Sequence, residues 1–351
     1  MSKIKIALLH TQLEKSTAYY NDWVDAFSNN NDIDIDIYIC NRMSILDNFR
    51  LINKKYKFVV MLPSTSSNGF RLPRLLKYGL LKFSPSKIVL FMGNEYKQTL
   101  ERINFVRSHK VEYIVSQLPQ DTAEWLYNDT NSTVISLPPG LNEKTFKVKK
   151  SFNERSIDVG TRFHEAPFFL GSKDRLKTLD FAKIIENDFN TDVEMIVGYE
   201  LLGDAWVDFL NNCKYTIASE AGSSYLERDD KTRKLVRKYL DINPDATFED
   251  IFNKFHKNYS RKRVSGQCIS PRHFEAIGTK TCQILIEGRY NDILTPNVHY
   301  IELKKDFSNI EEVIEKLRNE KLRNEIVENA YNYVMQNHTY KHRVEKLLKL
   351  I

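Results

Sequence analysis

Leu137-Pro138-Pro139-Gly140, at positions 137–140, is the stretch that decides the fold. Two prolines fix φ and remove two backbone donors, so neither a helix nor a central strand runs through it. Upstream, the apolar runs Lys3–Leu9, Ile33–Cys40, Phe58–Leu62, Lys87–Met92, Glu112–Val115 and Val134–Leu137 read as short buried strands. Helical patterns separate them, as in Thr17–Asn29, where Tyr20, Trp23, Val24 and Phe27 recur at helical spacing. Downstream, a polar and basic stretch runs to about Arg155, and the alternation restarts. Ser156–Val159, Val193–Val197 and Tyr215–Ala218 read as strands, Arg175–Asn187 and Trp206–Asn212 as helices. Such alternation implies right-handed crossovers and parallel sheets covered on both faces.

The sequence therefore predicts an α/β protein of two Rossmann-like, doubly wound domains with a ligand cleft between them. The expected boundaries are 1–137 for the first domain, 138–155 for the linker and 156–308 for the second domain, with helices over 309–351. A helical insertion is expected at 227–263, where Thr247 and Asp250 have capping-box spacing. Its basic end (Lys257, Arg261, Lys262, Arg263) reads either as a solvated face or as a lid that closes on phosphate. The pentapeptide KLRNE occurs twice over Lys316–Glu325, too short for an architectural repeat, and is expected in one amphipathic surface helix.

Composition narrows the class. The 351 residues are 42% hydrophobic and 28% charged, as in globular proteins. No run approaches the roughly 20 apolar residues of a membrane span, and the start lacks the pattern of a secretory signal. A cytoplasmic chain is expected. The net charge of +6 suits a phosphate-bearing ligand or peripheral contact with the inner face of an anionic membrane, and is too dispersed for nucleic acid. The four cysteines lack metal-ligand spacing and read as free thiols. Asp32, Asp34 and Asp36 alternate with Ile33, Ile35 and Ile37, which makes them the wet face of a strand. No metal and no cofactor are expected.

Ser270-Pro271-Arg272-His273-Phe274-Glu275-Ala276-Ile277-Gly278 carries the clearest chemistry. Serine is a good N-cap, proline suits the first helical position and glycine suits the helix end. The first turn leaves backbone N–H groups at the positive end of the helix dipole, where phosphate binds. Arg272 adds a permanently charged planar fork there, and Glu275 follows one turn later. The residues alone also fit a capped helix in which Arg272 and Glu275 pair with each other.

Pro-Arg-x-Phe-Glu-Ala, then a glycine and Gln283-Ile284-Leu285-Ile286-Glu287-Gly288, resembles the donor-site signature of the two-Rossmann-domain (GT-B) glycosyltransferases. The resemblance is closest to the spore-coat maturation glycosyltransferase-like branch, whose donor domain is of group 1, family 4 type. Three further stretches carry it: Pro138-Pro139-Gly140-Leu141-Asn142 with Phe146, Ile157-Asp158-Val159-Gly160 with Arg162, and His299-Tyr300-Ile301 with Asp306-Phe307-Ser308. It spans about Pro138–Leu348. It implies that Glu275 is the second glutamate of a Glu–seven residues–Glu motif and contacts the donor ribose. At the first glutamate's place stands Gln267, which keeps hydrogen-bonding capacity without charge. Arg162, with Lys173 or Arg175, occupies the place of the family's basic pair on the diphosphate. For Lys173 and Arg175 a solvated helix start is the alternative.

The nucleotide-sugar candidates are thus Arg162, Lys173, Arg175, Glu220, Gln267, Ser270, Arg272, His273 and Glu275. Glu220 enters from Ser219-Glu220-Ala221-Gly222-Ser223-Ser224, small residues after a strand, which also read as an ordinary strand-to-helix turn. For the acceptor side, His10 and Glu95 end strands of the first domain and are candidate bases, with a structural role as the alternative. The expected function is metal-independent hexosyl transfer from a nucleotide-sugar to a saccharide or lipid-linked acceptor in surface-polysaccharide synthesis. An epimerase or phosphotransferase of the same architecture, or a non-catalytic nucleotide- or glycan-binding subunit, are the other readings.

Overall fold

The computed structural model describes residues 3–13, 19–196, 201, 203–257 and 264–351. The chain forms two compact units. The first comprises Met1–Pro138, Gly222–Gly266 and Arg343–Ile351; the second comprises Pro139–Ala221 and Gln267–His342. The segment 227–263 therefore groups with the first unit. Its Arg261, Lys262 and Arg263 lie outside the described residues, as do Thr17 and Ala18 of the expected helix and Val197 of the expected strand.

In the first unit, six parallel strands are ordered β2-β1-β3-β4-β5-β6. They are β1 (Ile4–His10), β2 (Ile33–Ile39), β3 (Phe58–Met61), β4 (Lys87–Phe91), β5 (Tyr113–Ser116) and β6 (Thr133–Ser136). All four residues of β3 are buried, as expected of a strand covered on both faces. Helices α1 (Tyr19–Ser28), α2 (Ile45–Asn53), α3 (Arg74–Tyr78), α4 (Thr99–Ser108) and α5 (Gln120–Tyr127) make the crossovers. Winding reverses at β1, which creates a crevice beyond the carboxyl ends of β1 and β3. His10 ends β1 at this point.

The second unit repeats the plan. Its sheet is ordered β13-β12-β9-β7-β8, all parallel. The strands are β7 (Ile157–Phe163), β8 (Thr191–Met195), β9 (Cys213–Ala218), β12 (Cys282–Ile286) and β13 (Ile301–Leu303). Helices α6 (Lys177–Ile185) and α7 (Asp204–Asn212) lead into β8 and β9. In β12, Cys282, Ile284 and Ile286 join one apolar cluster and Leu285 another, so the two clusters cover opposite faces. Here the winding reverses at β7, and the crevice lies beyond β7 and β9.

After β9 the chain leaves the second unit through the short strand β10 (Ala221–Ser223). That corrects the strand-to-helix turn expected at 219–224, because the next helix, α8, begins only at Lys231. The Thr247 capping box is present and starts α9 (Phe248–Ile251). β11 (Gly266–Cys268) precedes the return to the second unit and α10 (Pro271–Gly278).

The expectation of one helix across the KLRNE pair is also corrected. The chain forms α11 (Ile310–Arg318), α12 (Glu320–Asn337) and α13 (Tyr340–Leu350). Asn319, in the first pentapeptide, leaves helical geometry and accepts the Leu322 N–H, so it caps α12. Nor is α12 confined to the surface, since Ile326, Ala330 and Val334 are buried. Arg155, read as part of a polar linker, is buried too and donates to the carbonyls of Cys213 and Thr279 and to the Thr281 hydroxyl.

Candidate functional site

α10 starts as its sequence dictates, with one modification. Ser270 is the N-cap and Pro271 the first helical residue, but the third helical position is His273 rather than a carboxylate. The His273 ring nitrogen Nδ1 accepts the Ser270 N–H at 3.0 Å and lies 2.9 Å from its hydroxyl. Burial depresses the His273 pKa to about 4, so the ring is neutral at ordinary pH and can act as this acceptor. Gly278 ends the helix for a reason other than the expected one. A Cβ there would lie 2.6 Å from a Leu141 methyl and 2.8 Å from the Phe146 carbonyl. The left-handed turn comes two residues later, at Lys280. Close packing, not cap geometry, demands this glycine.

In place of the alternative Arg272–Glu275 pairing, the two residues share an aromatic platform. The Arg272 guanidinium lies 4.4 Å above the Trp206 ring and donates to the Arg162 carbonyl at 2.9 Å. The Trp206 indole N–H donates to the Glu275 carboxylate at 2.7 Å. Burial raises the Glu275 pKa, and Arg272 and the indole bond oppose that rise. Trp206 stacks on Phe209, and Phe209 carries the Arg162 guanidinium at 4.4 Å. Two cations are thus held on two stacked rings. Arg162 is already matched: its Nη2 donates to both Asp192 oxygens at 2.8 Å, and its Nε lies 3.1 Å from Glu194. Its carbonyl steers Arg272, while its fork is spent within the unit.

The neighbouring cluster surrounds Gln267. The Gln267 amide donates to Asp174 at 3.3 Å, and Asp174 pairs with Lys305 at 3.2 Å. Arg175 donates to the His164 carbonyl, just beyond β7. Lys173, half-buried, accepts the Leu176 N–H at its carbonyl. Glu220 follows β9 at the reversal of winding, but its carboxylate turns inward and accepts the Tyr290 N–H at 2.8 Å. Burial raises its pKa, offset by the backbone donors of Tyr290 and Arg289. Tyr290, Asn291 and Asp292 all have positive φ, a costly run for non-glycine residues that such anchoring sustains. Asn291 in turn accepts the Ile269 N–H at 2.8 Å, tying this turn to the approach of α10.

In the first unit, His10 is buried at the crevice of the sheet, and burial lowers its pKa. Glu95 sits inside a network. It accepts from the Ser116 and Tyr127 hydroxyls and the Gln117 N–H at 2.8–3.0 Å, so both oxygens are engaged. Burial raises its pKa against these donors. That geometry is structural, and it does not present a free base.

Sequence reasoning missed Trp206, Asp174 and Lys305. Trp206 was visible only as one apolar position of a helix, although a buried indole N–H requires an acceptor. Asp174 stands between two candidate cations, where a lone carboxylate draws no notice. Among the described residues, no group of three or more His, Cys, Asp or Glu side chains is placed to hold a metal ion. No helix there is long and apolar enough to cross a membrane.

Comparison with known proteins follows this geometry. Residues 205–349 match the family model described as glycosyl transferase-like. No curated protein matches the chain by sequence. Among solved structures, a glycosyltransferase from Rickettsia africae superposes with a TM-score of 0.53 at 10% identity, covering 100% of this chain and 98% of its own. HepE of Anabaena, crystallised with UDP-glucose, gives 0.55 at 9% identity, covering 99% and 100%. The stretch 205–349 thus matches a glycosyl transferase-like domain, and the chain shares its α/β fold of two Rossmann-like sheets with GT-B glycosyltransferases.

Proposed function

We propose that this protein transfers a sugar from a nucleotide-activated donor to a saccharide or lipid-linked acceptor in surface-polysaccharide assembly. Its finer kinship is with the spore-coat maturation-like branch, and its work is done at the inner face of the membrane. The observation that carries the reading is that Arg272 and Glu275 of α10 and their Trp206 platform on α7 all fall inside the glycosyl transferase-like stretch. The helix start and Arg272 take the diphosphate, with no metal invoked, and stabilise charge developing on the leaving group. Glu275, oriented by the indole, takes the ribose hydroxyls. Asp174 supplies the carboxylate that Gln267 lacks and faces the transferred sugar. Acceptor recognition falls to the first unit, with His10 its candidate proton acceptor.

Titration calorimetry with UDP, GDP, CDP and ADP tests this directly. One nucleotide is expected to bind, and Arg272→Ala and Glu275→Gln are each expected to weaken it roughly tenfold or more. Silence from all four nucleotides on folded protein would reject the reading. A nucleotide-sugar incubated without acceptor is expected to hydrolyse slowly. Formation of an epimer would reject transfer.

A further inference from the structure

Away from these residues, the first unit carries a face that is both apolar and cationic. α2 turns Asn48, Leu51 and Ile52 inward. Its outward side nevertheless holds Ile45 (68% exposed), Leu46 (67%) and Phe49 (46%). α2 packs against the 3-10 turn Leu80–Phe83 that follows α3; Tyr78, which ends α3, and Phe83, in the turn, are 70% and 77% exposed. Single exposed apolar residues are ordinary, but five large ones on adjoining short helices form a patch.

The charge of the chain is concentrated in the same two segments. Residues 42–57 and 71–87 contain ten Lys and Arg but a single carboxylate, Asp47, whereas the whole chain is only +6. The remainder is therefore net acidic. Part of this charge is matched locally: Arg50 by Asp47, Lys54 by Asp36, Lys77 by Glu101 and Lys87 by Glu112. Among the described residues, Arg42, Lys55, Arg74 and Lys82 have no carboxylate within ion-pair range.

We propose that this face of the first unit docks on an anionic phospholipid surface, with Phe49, Tyr78 and Phe83 entering the headgroup boundary and Lys55, Arg74 and Lys82 meeting lipid phosphate. A bilayer satisfies both halves of the pattern at once. An acidic protein would match the cations but leaves the outward apolar side chains unexplained. A second copy of the chain would bring like charges together across a two-fold axis. The proposal locates the membrane contact of the reading above, yet it uses none of the nucleotide-site residues, so the two fail independently.

Flotation with phosphatidylcholine vesicles, with and without about a third phosphatidylglycerol, is the test. Binding to the anionic vesicles is expected, weakened by salt. It should fall roughly tenfold or more in Phe49→Glu/Phe83→Glu and in Lys55→Glu/Lys82→Glu. Thermal melting and nucleotide calorimetry should show both variants folded and donor-competent. Folded wild type that ignores anionic vesicles overturns the proposal, as does vesicle binding that both variants retain. Sedimentation that reveals a dimer lost in Phe49→Glu/Phe83→Glu, without vesicle binding, assigns the face to a second copy instead.

Discussion

Gln267 looks like a lost catalytic charge until its neighbour is considered. Its amide donates to Asp174 at 3.3 Å, so a glutamate there would set a second carboxylate against Asp174, which already pairs with Lys305. Gln267→Glu is accordingly expected to lower donor affinity, while Asp174→Asn lowers turnover. Calorimetry and initial rates on the two variants check this, and a more active Gln267→Glu would return the role to position 267. His273 makes a second prediction. Its folded pKa is about 4 against 6.5 for a free imidazole, so between those values the unfolded chain binds more protons. Stability should fall as pH drops through that window. His273→Gln preserves the acceptor of the cap and removes the titration, so its melting temperature should depend less steeply on acid pH. Neither property was legible in the sequence, because both depend on a partner or on burial that comes from distant parts of the chain.

Elements were more legible than residues wherever local chemistry suffices. Ser270-Pro271 announces α10, and Thr247 with Asp250 announces α9, since each cap is made within four residues. The same logic failed at Asn319. Its identical counterpart, Asn324, stays inside α12, whose Ile326 and Val334 are buried, so the pentapeptide by itself does not decide where the helix breaks. The loops beyond β3 and β4 show the limit from another side. Arg102, 1% exposed, donates to the carbonyls of Ser66, Ser67 and Asn94, and so binds two loops together at the carboxyl edge of the first sheet. From sequence it is one more cation on α4. Arg102→Met would strand the buried carbonyls of Ser66 and Ser67 and the half-buried one of Asn94, and should cost about 3 kcal/mol, read as a lower urea midpoint for the first unit.

At the scale of the molecule, the two alternations flanking Leu137-Pro138-Pro139-Gly140 gave the two parallel sheets, because strand periodicity and crossover handedness are nearly local rules. Membership of the units was hidden, since it depends on which surfaces find one another. The first unit is assembled from three separate stretches, and one of them, Arg343–Ile351, follows everything assigned to the second unit. The consequence is one of timing. During synthesis the ribosome delivers every part of the second unit before it delivers the final piece of the first. The sheet made earliest has all six strands by Ser136, yet the unit around it waits until late in translation for the helical piece that completes it.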